Sequence, residues 1–200
     1  MAIVSAKNET VRIFENDFLE WCSHIHPATP LVGFTPVVAW LLWHASHVIS
    51  TSAVLGYVGL GLWVWICFEY WLHRWIFHYE AKTKFGQRIM FFVHGVHHAY
   101  PQDATRLVMP LAVSFPLGGI FYLIFIGVFA EGAAQAVAAG LYIGYVVYDC
   151  VHYGTHHLKM KNPIAAFWKR NHLKHHFSKD GKAYTILIPF WDYVFGTTVK

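Results

Sequence analysis

Ten of the fifteen histidines fall in four clusters, each starting where a long apolar run ends. They are His73-x4-His78, His94-x2-His97-His98, His152-x3-His156 and His172-x2-His175-His176. Neutral imidazole is a good ligand for Fe, Zn, Cu and Ni, so this density of histidine points to metal. One tetrahedral zinc takes four ligands at most, whereas two metals of higher coordination can employ all ten. Residues three and four apart share a helix face, so each triplet is expected to present three imidazoles to one side, and His152/His156 two. His73 and His78 are five apart, about 140° around an ideal helix, so either the helix ends between them or they serve different metals. A single histidine on an apolar face is usually a satisfied core residue; ten at these spacings are not explained that way. His24, His26, His44 and His47 lack the pattern and read as interface or packing residues, and His157 adjoins the third cluster without being required by it. The chemistry expected is redox at a two-metal site beside a membrane.

A ligating histidine usually donates its other ring N–H to a carboxylate or carbonyl, which fixes its tautomer. Two acids stand at helical spacing from the clusters. Glu69 precedes His73 by four residues and Asp149 precedes His152 by three, so both are expected to hydrogen-bond the ligands rather than bind metal. The alternative is hydrogen bonding between helices, since an acid in an apolar helix needs a partner.

The elements that position these groups are apolar. The chain is 56% hydrophobic and only 13% charged, which is a membrane protein's composition, and its 200 residues suit a single domain. Four stretches are long enough to cross a bilayer, near Leu31–Val48, Ala53–Leu72, Leu107–Ala130 and Ala133–Val151. Ile49–Ser52 and Glu131-Gly132 are short turns, which predicts two antiparallel hairpins. Pro110 and Pro116 fall near the start of the third span, where a kink is tolerable. Every Lys and Arg then lies on one side: Lys7 and Arg12 before the first span, Arg74 to Arg106 between the hairpins, and Lys159 to Lys200 after the fourth. The positive-inside rule makes that side the cytoplasm, with both termini and the ten histidines on it. This means the endoplasmic reticulum of a eukaryote or the inner membrane of a bacterium. The net charge of +4 needs no nucleic acid; anionic headgroups suffice.

The expected fold is therefore all-α and integral to the membrane, with four helices in two hairpins and a cytosolic helical cap holding a dinuclear metal site. Residues 1–30 read as an N-terminal interfacial segment and 31–200 as the membrane domain. Within the former, Val11, Phe14, Phe18 and Trp21 suggest an amphipathic helix over Thr10–Cys22. The fourth cluster sits in a helix that Asn162 caps, Pro163 begins and Phe177 ends. Cys22, Cys67 and Cys150 form no CxxC and read as small core residues, supporting neither a disulfide framework nor a thiolate site.

Beyond spacing, the stretches HGVHHAYPQDATRLVMP (94–110), YDCVHYGTHH (148–157), KRNHLKHHF (169–177) and WDYVFGT (191–197) resemble those of the fatty acid hydroxylase superfamily. These are membrane di-iron enzymes, and the closest likeness is to the fatty acid 2-hydroxylases, over about residues 60–200. The resemblance implies as ligands His73, His78, His94, His97, His98, His152, His156, His172, His175 and His176, without His157. It implies two iron ions, O2 and external electrons; the ten imidazoles by themselves also admit zinc, which outcompetes ferrous iron at nitrogen sites and can occupy purified protein. The reaction implied is insertion of a hydroxyl at C2 of a long-chain fatty acyl group, free or in a sphingolipid such as ceramide. Many eukaryotic members carry an N-terminal haem-binding cytochrome domain, for which this chain has no room, so a separate electron-transfer protein is expected. Arg106, Lys169 and Arg170 are then candidate head-group contacts, the alternative being ordinary positive-inside charges. Tyr148 and Tyr153 are candidates to hydrogen-bond substrate or ligands, the alternative being packing. Ile186, Leu187 and Ile188 are bulkier than expected at their positions, which bears on acyl specificity. A sterol desaturase or carotenoid hydroxylase would share the metal site and differ in product. A histidine-relay transporter would place ligands along the membrane path, and a zinc hydrolase would work without O2.

Overall fold

The computed structural model describes residues 9–178 and 181–199; Lys7, Lys179 and Lys200 of the charge pattern lie outside them. Among the described residues there is no strand. The helices are α1 (Asp17–Cys22), α2 (Thr29–Val48), α3 (Thr51–Trp71), α4 (Lys84–Met90), α5 (Val96–Ala99), α6 (Leu111–Val128), α7 (Ala133–His157), α8 (Pro163–Phe177) and α9 (Phe190–Val194). Two π-helical segments, Leu72–Phe77 and Phe91–Gly95, continue α3 and join α4 to α5, and a 3-10 turn covers Ala104–Arg106.

Four stretches are long and apolar enough to span a bilayer: Thr29–Val48, Thr51–Phe77, Ala104–Val128 and Ala133–His157. The all-α, four-span architecture expected from hydropathy is thus present. Its boundaries differ at two ends that matter. The second span runs on through the π segment, and α7 continues to His157. His73 and the third histidine cluster therefore ride on the long helices themselves, with His78 just past the end of the second span. Pro110 caps α6 and Pro116 lies within it, as the kink-tolerant positions anticipated.

Contacts divide the chain into two compact units, one of residues 28–67 and 109–150, the other of residues 1–27, 68–108 and 151–200. Within the first, α7 is the buried element. Ala134, Ala136, Val137, Ala138 and Ala139 are each at most 1% exposed. By contrast, Val32, Trp40, Leu55, Ile120, Leu123 and Val128 on α2, α3 and α6 present the apolar surface that lipid covers. Small residues on α7 let the backbones touch, as expected where no hydrophobic gain separates helix contact from lipid contact. A Cβ on Gly140 would stand 2.2 Å from the Val58 carbonyl oxygen, and one on Gly61 2.0 Å from that of Val137. One turn further along α7, Gly144 makes room for Trp65, whose ring also packs on Tyr145 and Tyr148 with centroids 5.5 Å away. Phe34 fills the adjoining space against Phe115, Tyr142 and Tyr145.

The second unit carries all ten clustered histidines. Its N-terminal helix is shorter than the amphipathic pattern suggested, for a local reason. The Asn16 side chain accepts from the amides of Phe18 and Leu19 and starts α1 there. The Glu20 carboxylate reaches back to accept from the amides of Ile13 and Phe14, holding 13–14 outside any helix. Phe18 and Trp21 nevertheless remain largely exposed, at 68% and 73%. Cys22 and Cys150 are exposed and Cys67 half-buried, so the core-residue reading fails for the first two.

Gly140→Leu should destabilise the protein in detergent by about 3 kcal/mol or more, because its side chain meets backbone that cannot yield. Gly119→Ala, with nothing within 4 Å of its Cβ, should stay within about 0.5 kcal/mol. Thermal melting followed by circular dichroism compares them, and equal melting temperatures would refute the close crossing.

A candidate dinuclear metal centre

The histidines gather into two groups of five, each with its ligand atoms within 4.8 Å of one another: His73, His78, His94, His98 and His175, and His97, His152, His156, His172 and His176. The π segment settles the five-residue spacing. The His78 amide donates to the His73 carbonyl at 3.3 Å, an i→i+5 bond that stacks the fifth residue over the first as i→i+4 does in an α-helix. Both therefore serve one group rather than different metals, and the helical segment ends at Phe77, between the two, as the first alternative allowed.

The triplets do not each face one way. His94 and His98 join the first group while His97 turns to the second; His172 and His176 join the second while His175 turns to the first. Each half of the sequence thus builds four-fifths of one group and lends one histidine to the other. The groups abut, with the rings of His98 and His176 stacked at 4.3 Å. α8 forms as its sequence indicates: Asn162 accepts from the Ala165 amide, Pro163 starts the helix and Phe177 ends it.

Burial and neighbouring imidazoles keep these rings neutral. Burial, then adjacent histidines, pushes His94, His97 and His172 well below the usual range. Burial holds His78 at about 4, and burial followed by neighbouring imidazoles holds His98 at about 2 and His175 at about 3. His176 is likewise lowered by burial and then by His97. Neutral imidazole is the ligating form. Two tautomers are fixed by the backbone, because a carbonyl can only accept. His73 Nδ1 donates to the Tyr184 carbonyl at 2.5 Å and His175 Nδ1 to that of Lys182 at 2.9 Å. Their Nε2 atoms therefore carry lone pairs.

The Nε2 atoms of both groups converge. Nε2···Nε2 separations are 3.1 Å for His73–His94, 3.1 Å for His78–His175, 3.0 Å for His94–His98, 2.9 Å for His97–His152 and 2.8 Å for His156–His172. Two nitrogens bound at right angles to one metal, each about 2.1 Å away, stand about 3.0 Å apart. The donor set and its spacing fit a metal ion of five or six coordination in each group.

The other expected residues fall elsewhere. Glu69, 2% exposed, does not hold His73; its Oε1 accepts from the amides of Ile186 at 2.5 Å and Leu187 at 3.4 Å. Asp149 is buried in α7 beside the Tyr145 phenol, within the other unit. Tyr148 is packed against Trp65 there. Tyr153 is half-buried, its ring stacked on His157 at 4.6 Å. Lys169 donates to the Leu158 carbonyl at 2.9 Å and Arg170 is exposed. Arg106 is no head-group contact: its side chain is 2% exposed, bonds Glu20 at 2.5 Å and His24 at 3.0 Å, and lies 3.5 Å from Asp103. Spacing also missed Asp192, a buried acceptor whose only sequence signal was the WDYVFGT motif. In the adjoining segment Ile186 is buried and Ile188 exposed; its backbone rather than its bulk faces the histidines.

The family description "Fatty acid hydroxylase" matches residues 58–197. The chain is 35% identical over 194 residues to a dihydroceramide fatty acyl 2-hydroxylase of Arabidopsis thaliana, covering 96% of this chain and 81% of the relative. It is 30% identical over 212 residues to a fatty acid 2-hydroxylase of Rattus norvegicus, covering 94% of this chain and 57% of that protein. Among solved structures it resembles full-length scs7p, of which only the hydroxylase domain is visible, with a TM-score of 0.87 and 32% identity over 92% of this chain and 70% of the other.

The Glu20–Arg106 network has a pH signature. Burial raises the Glu20 carboxyl, but the amides of Phe14 and Ile13, His24 and the Arg106 charge outweigh it and hold it at about 2, against an ordinary 4.5. A depressed carboxyl contributes stability in full above its unfolded value, and that contribution is lost as pH falls through the folded one. Glu20→Gln should therefore lower stability at pH 7 by about 2 kcal/mol, as for a lost bond to a charged group, and the difference from the parent should shrink below about pH 4.5. Melting temperatures across that range check it; a difference as large at pH 3 as at pH 7 would refute the assignment.

Proposed function

The chain belongs to the fatty acid hydroxylase family, and from that premise we propose that its two five-histidine groups are the metal centre of a fatty acid 2-hydroxylase. The observation that carries this reading is the convergence of ten neutral imidazoles into two adjacent nitrogen cages in a chain whose relatives are fatty acyl 2-hydroxylases. It is a monooxygenase acting on fatty acyl groups, with the acyl chain of a sphingolipid supported by the dihydroceramide relatives. Sterol and carotenoid products find no support among these relatives.

The ligands of the proposed centre are the ten histidines named above. A redox-active pair, iron by its affinity for imidazole, would supply dioxygen activation; zinc has no redox chemistry but outcompetes ferrous iron at nitrogen sites, so it is the expected contaminant of purified protein. Hydroxylation consumes one O2, two electrons and two protons per hydroxyl formed, with water as the other product. The electrons are assigned to a separate redox protein on the cytoplasmic side, the side that the distribution of Lys and Arg supports for the histidines and both termini.

The chain's own residues supply placement. The buried rings exclude water from the reacting carbon, and a carboxyl or amide head held beside them puts C2, rather than mid-chain carbons, within reach. With Arg106 committed to Glu20, the head-group contacts proposed are Tyr153 and Arg170. The exposed Phe18 and Trp21 anchor the N-terminal segment at the membrane surface.

The test is mass spectrometry of hydrolysed fatty acids from cells expressing this chain with a redox donor, against empty-vector cells and His175→Ala. Acids heavier by one oxygen at C2, absent from both controls, are expected. Folded, iron-loaded protein with a working donor and no such product would overturn the reading.

A further inference from the structure

We propose that Asp192 is a positioning residue for one metal group only, that of His73, His78, His94, His98 and His175; the inference rests on the metal reading above. Asp192 is 1% exposed and accepts four hydrogen bonds. Oδ1 takes the Tyr184 amide at 2.9 Å and the Thr197 hydroxyl at 2.7 Å. Oδ2 takes the Thr185 amide at 2.9 Å and the Thr185 hydroxyl.

Peptide planarity turns these bonds into ligand orientation. No peptide bond among the described residues is cis, so each N–H points opposite to the carbonyl of the preceding residue. Drawing the Thr185 amide to Asp192 directs the Tyr184 carbonyl the other way, where it accepts from His73 Nδ1. The neighbouring plane works through Thr197. The Ala183 amide donates to the Thr197 carbonyl at 2.8 Å, which directs the Lys182 carbonyl to His175 Nδ1. Thr197 is itself held by Asp192 twice, through its hydroxyl and through its amide on the Asp192 carbonyl at 2.8 Å.

Between the two carbonyls Ala183 adopts φ +66°, a left-handed conformation that a non-glycine residue keeps only when its surroundings impose it. Glu69 secures the far end by accepting the Ile186 amide. The segment 181–197 is thus a strap whose carbonyls fix two rings of one group, and Asp192 is its hub. Both rings so fixed belong to the first group, and His172 and His176 receive no bond from the strap's described residues.

Asn at 192 keeps the size but replaces one acceptor oxygen with an NH2 donor facing amide and hydroxyl donors. Purified, metal-loaded parent, Asp192→Asn and Thr197→Val are titrated with a competing chelator in detergent, reading metal per chain and secondary structure. The parent should hold two equivalents. Asp192→Asn should release one equivalent at roughly 10–100-fold lower chelator concentration and keep the other at the parent's value, as for lost partners of ligating histidines. Thr197→Val removes one of the four bonds and should shift the same equivalent by about tenfold, and it decides the matter if Asp192→Asn does not fold. Unchanged release of both equivalents, or loss of both together from folded variant, overturns the role of Asp192 alone. A folded parent that binds no metal overturns the metal reading and this inference with it.

Discussion

The convergence of ten buried, neutral imidazoles into two nitrogen cages is the constraint that the rest of the histidine-bearing unit answers. Burial denies these rings the second proton that would charge them, so nitrogens about 3 Å apart meet as neutral imidazoles, the form that a metal cation binds. Such an arrangement persists only on stiff supports. Here they are the π turn at 72–77, the short α5, the end of α7 and the capped α8. α5 and α8 each supply ligands to both groups, so the two cages share these supports while each ring keeps its own hydrogen-bond partners.

That exchange marks the limit of what spacing discloses. The ten histidines were legible because membrane helices tolerate few polar residues, so clustered imidazoles stand out. α8 was legible to the residue, since Asn162 and Pro163 are local signals. The partition 2 + 1 of each triplet was not: His97 and His98 are adjacent in sequence, and only the crossing of α5 between the groups separates them. The pairing of His73 with His78 was hidden by the assumption of α-helical geometry, which the π turn breaks. Glu69 was correctly marked as an acid needing a partner, but that partner is the Ile186 amide, 117 residues on, and a backbone amide has no sequence signature.

The acids show a common use. Glu20, Glu69 and Asp192 each accept from two consecutive backbone amides, at Ile13–Phe14, Ile186–Leu187 and Tyr184–Thr185. All three pairs lie outside helices, where amides have no carbonyl four residues back to bond. An unpaired buried amide costs about 1–3 kcal/mol, and one carboxylate removes two such costs at once. Irregular backbone close to the bilayer is tolerable only when it is satisfied within the protein, which explains why Glu69 and Asp192 are buried at all.

Committing the acids to backbone has a chemical consequence at the histidines. Each group's described ligand set is five neutral nitrogens, with no carboxylate among them. A metal ion held by neutral donors keeps its positive charge uncompensated, and in a buried setting of low dielectric that charge attracts anions strongly. A metal held there would present that charge to an entering anion such as a substrate carboxylate. A carboxylate ligand would have quenched it. Glu69 and Asp192 hold the strap and Glu20 the N-terminal segment, so acid is spent on backbone and imidazole is left for the cages.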